Sequence, residues 1–321
     1  MKIRELNSSE RPAFDELACR HGTLFHRLDW LALFGDRMQA LGLFDDGGGL
    51  VGGLALYRER RWGLTVLRRA PFTPSCGPFL EVKSRNPVAM LEERRKALEC
   101  LAEYLDAARP AICMLPLDRS VTDALPFFWR GYKVIPQYTY LLDLAVPADQ
   151  LRKNMSPDRR NDVSKAARDG LTVRLAANMG EVRDLVLATF DRQEKFVDQE
   201  CLEGILGRYA NPANSFAYVA CRDNVPIATC FVVHDGKTGY YLLGGYRAQD
   251  RHHGAGALAV WEAIQHAQGI GLQTFDFEGS VIPPIERFFR GFGGRLTPYF
   301  TVNKAWRLLE LGLKFRRRGF F

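Results

Sequence analysis

The chain has 321 residues, 47% of them hydrophobic, which is enough for a sizeable core and, at about 100–200 residues per domain, for two domains. Lys and Arg number 44 against 37 Asp and Glu, a net charge of +7 that favours anionic partners. No apolar run reaches the ~18 residues of a membrane-spanning helix, MKIRELNSSERPAF has no signal-peptide core, and the seven cysteines show no C-x-x-C spacing. A transmembrane chain, a disulfide scaffold and a zinc site are therefore not expected, and the expected location is the cytoplasm.

In chain order, Ser9-Glu10-Arg11-Pro12 opens a predicted helix to about Arg20, and residues 30–40 read as a second helix. The turn 45–49, Asp-Asp-Gly-Gly-Gly, lies between LGLF and LVGGLALYRE and predicts an antiparallel hairpin. A third strand, WGLTVLRRA, leads to a loop at 71–78, and residues 87–108 carry Met90, Leu91, Leu98, Leu101, Ala102 and Leu105 at helical spacing. Strands at 111–115 and 138–144 close this half. Pro147 then precedes a helix start, which places the domain boundary between 146 and 147, giving domains 1–146 and 147–321. In the second domain a helix at 149–169 is followed by a strand at 171–175, helices at 180–195 and 199–209, and strands at 216–221, 227–234 and 239–246. Each half reads as α+β around a mixed sheet.

Chemistry concentrates in residues 240–300. The apolar strand YYLLGGY leads into Arg251-His252-His253-Gly254-Ala255-Gly256, a helix ALAVWEAIQHAQGIG, and two strand-like stretches, 272–280 and 287–294. Strand, glycine-bearing turn, helix and strand make a βαβ unit. N–H groups at a helix start are unpaired, and small residues let a phosphate approach them; the alternative is that Gly254 and Gly256 only loosen the turn. His252 and His253 read as surface residues with no metal-ligand spacing. Asp276 and Glu278 occupy alternate strand positions, so they would share a face. Such a pair would bind a cationic or hydroxyl-bearing substrate, supply a base of raised pKa, or form ion pairs with Arg287, Arg290 or the helix of Arg160. Arg160, Lys165 and Arg168 form no single stripe, so a solvated face stands beside a substrate role. Aromatic residues such as Trp30 are core or site; Tyr241 and Tyr299 are kept as proton donors.

These residues resemble the FemAB-like branch of the GNAT acyltransferase superfamily, including proteins with a BioF2-like acetyltransferase domain. The resemblance rests on Arg251-x-x-Gly254-x-Gly256, on Phe275-Asp276-Phe277-Glu278-Gly279-Ser280, on Glu286-Arg287-Phe288 with Phe292-Gly293-Gly294, on the basic stretch 156–171, and on Asp29-Trp30-Leu31 with the loop 71–78. It implies tandem GNAT-like domains, each a mostly antiparallel mixed sheet flanked by helices. The implied activity is N-acyl transfer from acyl-CoA, bound at Arg251, Gly254, Ala255 and Gly256, to an amine on a sugar-, peptide- or metabolite-type acceptor in envelope, polysaccharide or specialised metabolism. Asp276, Glu278, Tyr241 and Tyr299 would be catalytic, and Arg160, Lys165, Phe288, Arg290 and Trp30 would meet substrate. The N-terminal half would bind acceptor or act as scaffold.

Two other readings accompany it: aminoacyl transfer from tRNA to a peptidoglycan precursor, and a non-catalytic GNAT-like module. Relatives using aminoacyl-tRNA tend to carry Phe-Lys where this chain has Phe288-Phe289-Arg290, and no long heptad arm is present. Expected partners are thus a small-molecule or envelope-precursor acceptor, with tRNA as the alternative, no DNA, no permanently bound cofactor, and room for peripheral membrane contact.

Overall fold

The computed structural model describes every residue except Cys76, Lys195, Asp250, Arg251, Ser280, Arg317, Arg318, Phe320 and Phe321. The expected phosphate contact of Arg251 therefore lies outside the described residues. In chain order the elements are β1 (Lys2–Glu5), α1 (Arg11–His21), α2 (Leu28–Leu31), β2 (Met38–Phe44), β3 (Leu50–Arg61), β4 (Leu64–Arg68), β5 (Phe79–Leu80), α3 (Pro87–Ala108), β6 (Ile112–Pro116), α4 (Leu125–Trp129) and β7 (Lys133–Asp143). They continue with α5 (Ala148–Asn154), α6 (Pro157–Arg168), β8 (Thr172–Leu175), α7 (Met179–Arg192), α8 (Gln199–Glu203), β9 (Ser215–Arg222), β10 (Val225–His234), β11 (Thr238–Tyr246), α9 (Ala255–Gly269), β12 (Thr274–Asp276), α10 (Pro283–Arg290), β13 (Arg295–Ala305) and α11 (Arg307–Arg316).

Two compact units result, one of Met1–Gln137 with Pro298–Phe321 and one of Tyr138–Thr297. This division departs from the expected break at 146/147 because hydrogen bonding, not the proline, decides it. Leu141, Leu142 and Asp143 of β7 pair with Asp276, Phe275 and Thr274 of β12, so that stretch belongs to the second unit. Thr301 to Ala305 of β13 pair with β6, so the chain returns to the first.

In the first unit, β1, β2 and β3 run antiparallel in sequence, β4 pairs with β3, and β6 lies parallel to β4. The helix α3 crosses between β4 and β6 and buries Leu98, Leu101 and Leu105 against Leu54, Leu67 and Leu115. In the second unit, β8, β9, β10 and β11 are successive antiparallel neighbours, and β12 lies parallel to β11. The helix α9 makes that crossover, its buried Leu258, Trp261 and Ile264 packing in a core with Ala228, Cys230 and Val232 of β10.

Four predicted elements differ. Residues 30–40 are not one helix: α2 passes into a 3₁₀ turn, Ala32–Arg37, broken at Gly35 with φ 53°, and β2 has begun by Met38. The predicted helix 149–169 is two, because Met155 is extended and Ser156 caps a new helix whose first residue is Pro157. The strand predicted at 272–280 is confined to Thr274–Asp276. The strand predicted at 287–294 is the end of α10 and a turn, since Pro283 and Pro284 start a helix and Ile285, Phe288, Phe289 and Phe292 repeat at helical spacing. Among the described residues no helix is long and apolar enough to cross a membrane, and no group of three His, Cys, Asp or Glu could hold a metal ion.

Candidate functional site

The start of α9 is built by glycine. Gly254 is its N-cap and supplies no side chain to the exposed helical N–H groups. A Cβ there would lie 2.1 Å from the Asp162 carbonyl oxygen, so only glycine lets α9 meet the backbone of α6 this closely. At Gly256 the situation reverses: a Cβ would find only Phe288 Cζ, at 4.0 Å, and the residue borders open space. Ala255 N–H donates to the His252 carbonyl and Gly254 N–H to His252 Nδ1, at 3.2 and 3.1 Å. Among the described residues none accepts a hydrogen bond from the N–H of Gly256 or Ala257, and these two groups point out of the first turn.

His252 is more than the surface residue it was expected to be. Its side chain is only 9% exposed, and Nε2 lies 3.0 Å from Asp169 Oδ2 while Nδ1 accepts from Gly254. That pair of contacts fixes the tautomer with its proton on Nε2. The hydrogen bond from His252 is the main reason that the Asp169 carboxyl is held below its ordinary pKa. His253 is exposed, 3.5 Å from Asp162, as predicted for that residue.

The flanks come from α6 and α10. Arg159 Nη1 binds Asp162 Oδ2 at 2.6 Å, its guanidinium carbon lies 4.3 Å from the Phe288 ring centroid, and its buried Nε has no partner among the described residues. Burial lowers the Arg159 pKa against the pull of Asp162 and Asp158. Nothing in the sequence marked Arg159 over its neighbour Arg160, yet Arg160 faces elsewhere. Its Nη1 donates to the carbonyls of Lys153 and Met155 at 2.7 and 2.6 Å, closing the end of α5, a structural task in place of the expected substrate contact. Lys165 is exposed on α6. Arg290 pairs with Glu286 at 3.3 Å within α10, and Glu286 accepts the hydroxyl proton of Tyr140; this is a different ion pair from the expected alternative, which joined Arg290 to Asp276 or Glu278.

Below the helix start, the parallel pair opens. Tyr240 is the last residue of β11 with a partner on β12, opposite Asp276, while β11 runs on to Tyr246 and Phe277 stays with Tyr140. The edge of β11 from Tyr241 onward therefore has no strand partner in β12. Tyr241 packs edge-on against Phe289 at 5.4 Å, and a Cβ on Gly244 would stand 1.8 Å from its hydroxyl, so glycine makes room for the ring. Burial raises the Tyr241 pKa well above the ordinary tyrosine value, which keeps the hydroxyl protonated.

Asp276 and Glu278 do not share a strand face. Glu278 has left the strand with φ 57°, and Gly279 follows at φ 66°, where a Cβ would meet the Tyr138 carbonyl at 1.9 Å. Asp276 is buried, and its Oδ1 accepts from Thr139 Oγ1 at 2.5 Å and from Glu278 N–H at 2.9 Å. One carboxylate thus pins the turn that carries the other. Two predicted site residues lie in the first unit: Trp30 is fully buried with Nε1 3.1 Å from Thr73 Oγ1, a core position, and Tyr299 is half-buried on β13.

A helix with open N–H groups, entered from a strand that parts from its parallel neighbour, is an arrangement that also carries a family match: residues 152–290 fit the model described as acetyltransferase (GNAT) domain. The chain shares its fold with FemX, at TM-score 0.67 and 14% identity over 98% of this chain and 99% of that one. It is likewise similar to the C-terminal domain of a protein assigned as a lysylphosphatidylglycerol synthetase from Agrobacterium fabrum, at TM-score 0.59 and 13% identity over 96% and 98%. A tandem GNAT protein from the clavulanic acid biosynthesis pathway matches at TM-score 0.55 and 13% identity over 94% and 96%. No curated protein sequence matches. At these identities the likeness is one of fold, and it agrees with the tandem GNAT, FemAB-like architecture expected from the motifs. The family match covers most of the second unit, residues 152–290 within Tyr138–Thr297.

Proposed function

We propose that the GNAT domain moves an acyl group from acyl-CoA to an amine on a sugar-, peptide- or metabolite-type acceptor. The observation that carries this reading is the start of α9, where Gly254 seats the helix on α6 and the N–H groups of Gly256 and Ala257 stay open beside a residue with room for phosphate. In this reading the CoA pyrophosphate accepts from those N–H groups, with Ala255 contributing small bulk, and Arg251 is the neighbouring cation. The acyl thioester runs along the unpaired edge of β11, whose backbone N–H groups polarise the carbonyl.

The acceptor nitrogen attacks the thioester carbon, its proton passes to Glu278, the C–S bond breaks, and the CoA thiolate leaves. Tyr241, kept protonated by burial, donates a hydrogen bond to the departing sulfur. Asp276 is a positioning residue that holds the turn of Glu278 through its backbone N–H. Lys165 and Phe288 remain candidates for substrate contact, and the first unit is assigned acceptor binding or support. In this reading, dependence on CoA supports a cytoplasmic location.

Calorimetric titration with CoA tests the reading. Wild type binds, and Gly256→Val, whose side chain has space in the fold but fills the phosphate approach, loses at least about tenfold in affinity. A folded wild type that ignores CoA overturns the donor. Weight would then pass to aminoacyl-tRNA, a reading supported by a fold shared with FemX along nearly the whole chain, and loss of transfer with every donor would leave a binding module.

A further inference from the structure

The first unit carries an apolar and basic face that the acyl-transfer reading does not use. At 100° per residue, Leu308, Leu311 and Phe315 fall within ~60° of one another on α11, and they are 87%, 59% and 86% exposed. Leu309 and Leu313 are half-buried, so the helix leans on the protein with one apolar side and presents a second outward. Arg307 and Lys314 are exposed on the same helix, which also carries Glu310, 3.0 Å from Lys314. In sequence it continues Arg317-Arg318-Gly319-Phe320-Phe321.

A second element reaches the same end of the sheet. Arg61 pairs with Leu64 to close the hairpin of β3 and β4 around Trp62, which is 96% exposed. Ala111 N–H donates to the Thr65 carbonyl, and Trp306 N–H donates to the Ala111 carbonyl, at 2.8 and 3.0 Å. Three neighbouring strands thus bring the Trp62 tip and the Trp306 start of α11 to one edge. Arg58, Arg60 and Arg61 are exposed beside that tip, and Glu59 takes up Arg61 and Arg68.

We propose that this face docks on an anionic phospholipid surface. Charge complementarity favours that occupant: exposed arginines on the hairpin, Arg307 and Lys314 on the helix, and a net charge of +7 all attract a negative surface. Tryptophans at the edge of an apolar stripe suit the headgroup boundary, and a ten-residue helix is long enough to lie in that plane but not to cross it. Trp62, Trp306 and Phe315 offer faces on which bases can stack, but Leu308 and Leu311 do not, and their exposed apolar surface favours lipid over RNA as the occupant. The inference stands independently of the donor and acceptor of the GNAT domain.

Co-sedimentation of the full chain with vesicles tests it. Wild type sediments with phosphatidylglycerol–phosphatidylcholine vesicles and at least about tenfold less with phosphatidylcholine alone or in high salt. Leu308→Glu with Phe315→Glu, and separately Trp62→Ser, lower the partition several-fold while circular dichroism and thermal melting stay unchanged. A folded wild type that stays in the supernatant, or variants that sediment like wild type, overturn the proposal. Self-association in sedimentation velocity that the Leu308→Glu, Phe315→Glu chain loses, without vesicle binding, also overturns it and makes a second copy the occupant.

Discussion

Each unit contains one parallel crossover, β4–α3–β6 in the first and β11–α9–β12 in the second, and their helix starts are treated oppositely. At α3 the Asn86 side chain accepts from the N–H groups of Val88 and Ala89, and Pro87 has no N–H to offer. At α9 the cap is Gly254, with no side-chain acceptor, and Gly256 and Ala257 remain open. The approach differs too. Eighteen residues, 69–86, separate β4 from α3, whereas eight residues, 247–254, separate β11 from α9. The same topology leaves N–H groups open where the sequence leaves the helix uncapped, and a closed end where Asn-Pro seals it. Fold alone does not give the second unit its role.

The comparison can be broken most forcefully at Gly254. Gly254→Val drives a side chain into the Asp162 carbonyl, and the expected cost is about 3 kcal/mol in denaturant unfolding; a neutral result would mean that α6 and α9 do not meet as described. Next comes the turn below. Glu278→Gln should lower kcat by about 10²-fold with little change in KM for acyl-CoA, whereas Asp276→Asn should lower stability through the lost turn contacts. Equal behaviour of the two variants would remove their separate roles. At the other helix start, Asn86→Ala should cost about 1 kcal/mol in stability and leave CoA affinity untouched.

The smallest effect is a pH dependence at Tyr140. Burial, then its hydrogen bond to Glu286, pushes this hydroxyl up to about 12 in the folded chain, against about 10 for a free tyrosine. The folded state therefore favours the protonated form: the contribution is complete below about pH 10 and is lost as pH rises through 12. Tyr140→Phe should flatten the alkaline limb of a stability profile, and an unchanged limb would count against the contact.

Helix α3 was legible to the residue, because Asn-Pro opens it and its apolar residues keep one helical face. The turn and helix start at Gly254 to Gly256 were legible as well, since their pattern of strand, glycines and helix is local. What could not be read was set by contacts distant in sequence. Glu278 leaves the strand because Gly279 backs onto the Tyr138 carbonyl, about 140 residues earlier, and periodicity cannot report that approach. Arg159 and Arg160 look alike in sequence, but Phe288 waits over one and the end of α5 under the other. Phe288, Phe289 and Phe292 suit a strand by composition, and the paired prolines at 283 and 284 with the helical spacing from Ile285 were the signals for α10.

The most direct measurement is residue-resolved: backbone amide chemical shifts of the chain during titration with CoA. The account predicts the largest shifts at Gly256 and Ala257, with Val88 and Ala89 at the start of α3 unmoved. Shifts at α3, or binding that leaves the start of α9 unchanged, would contradict it.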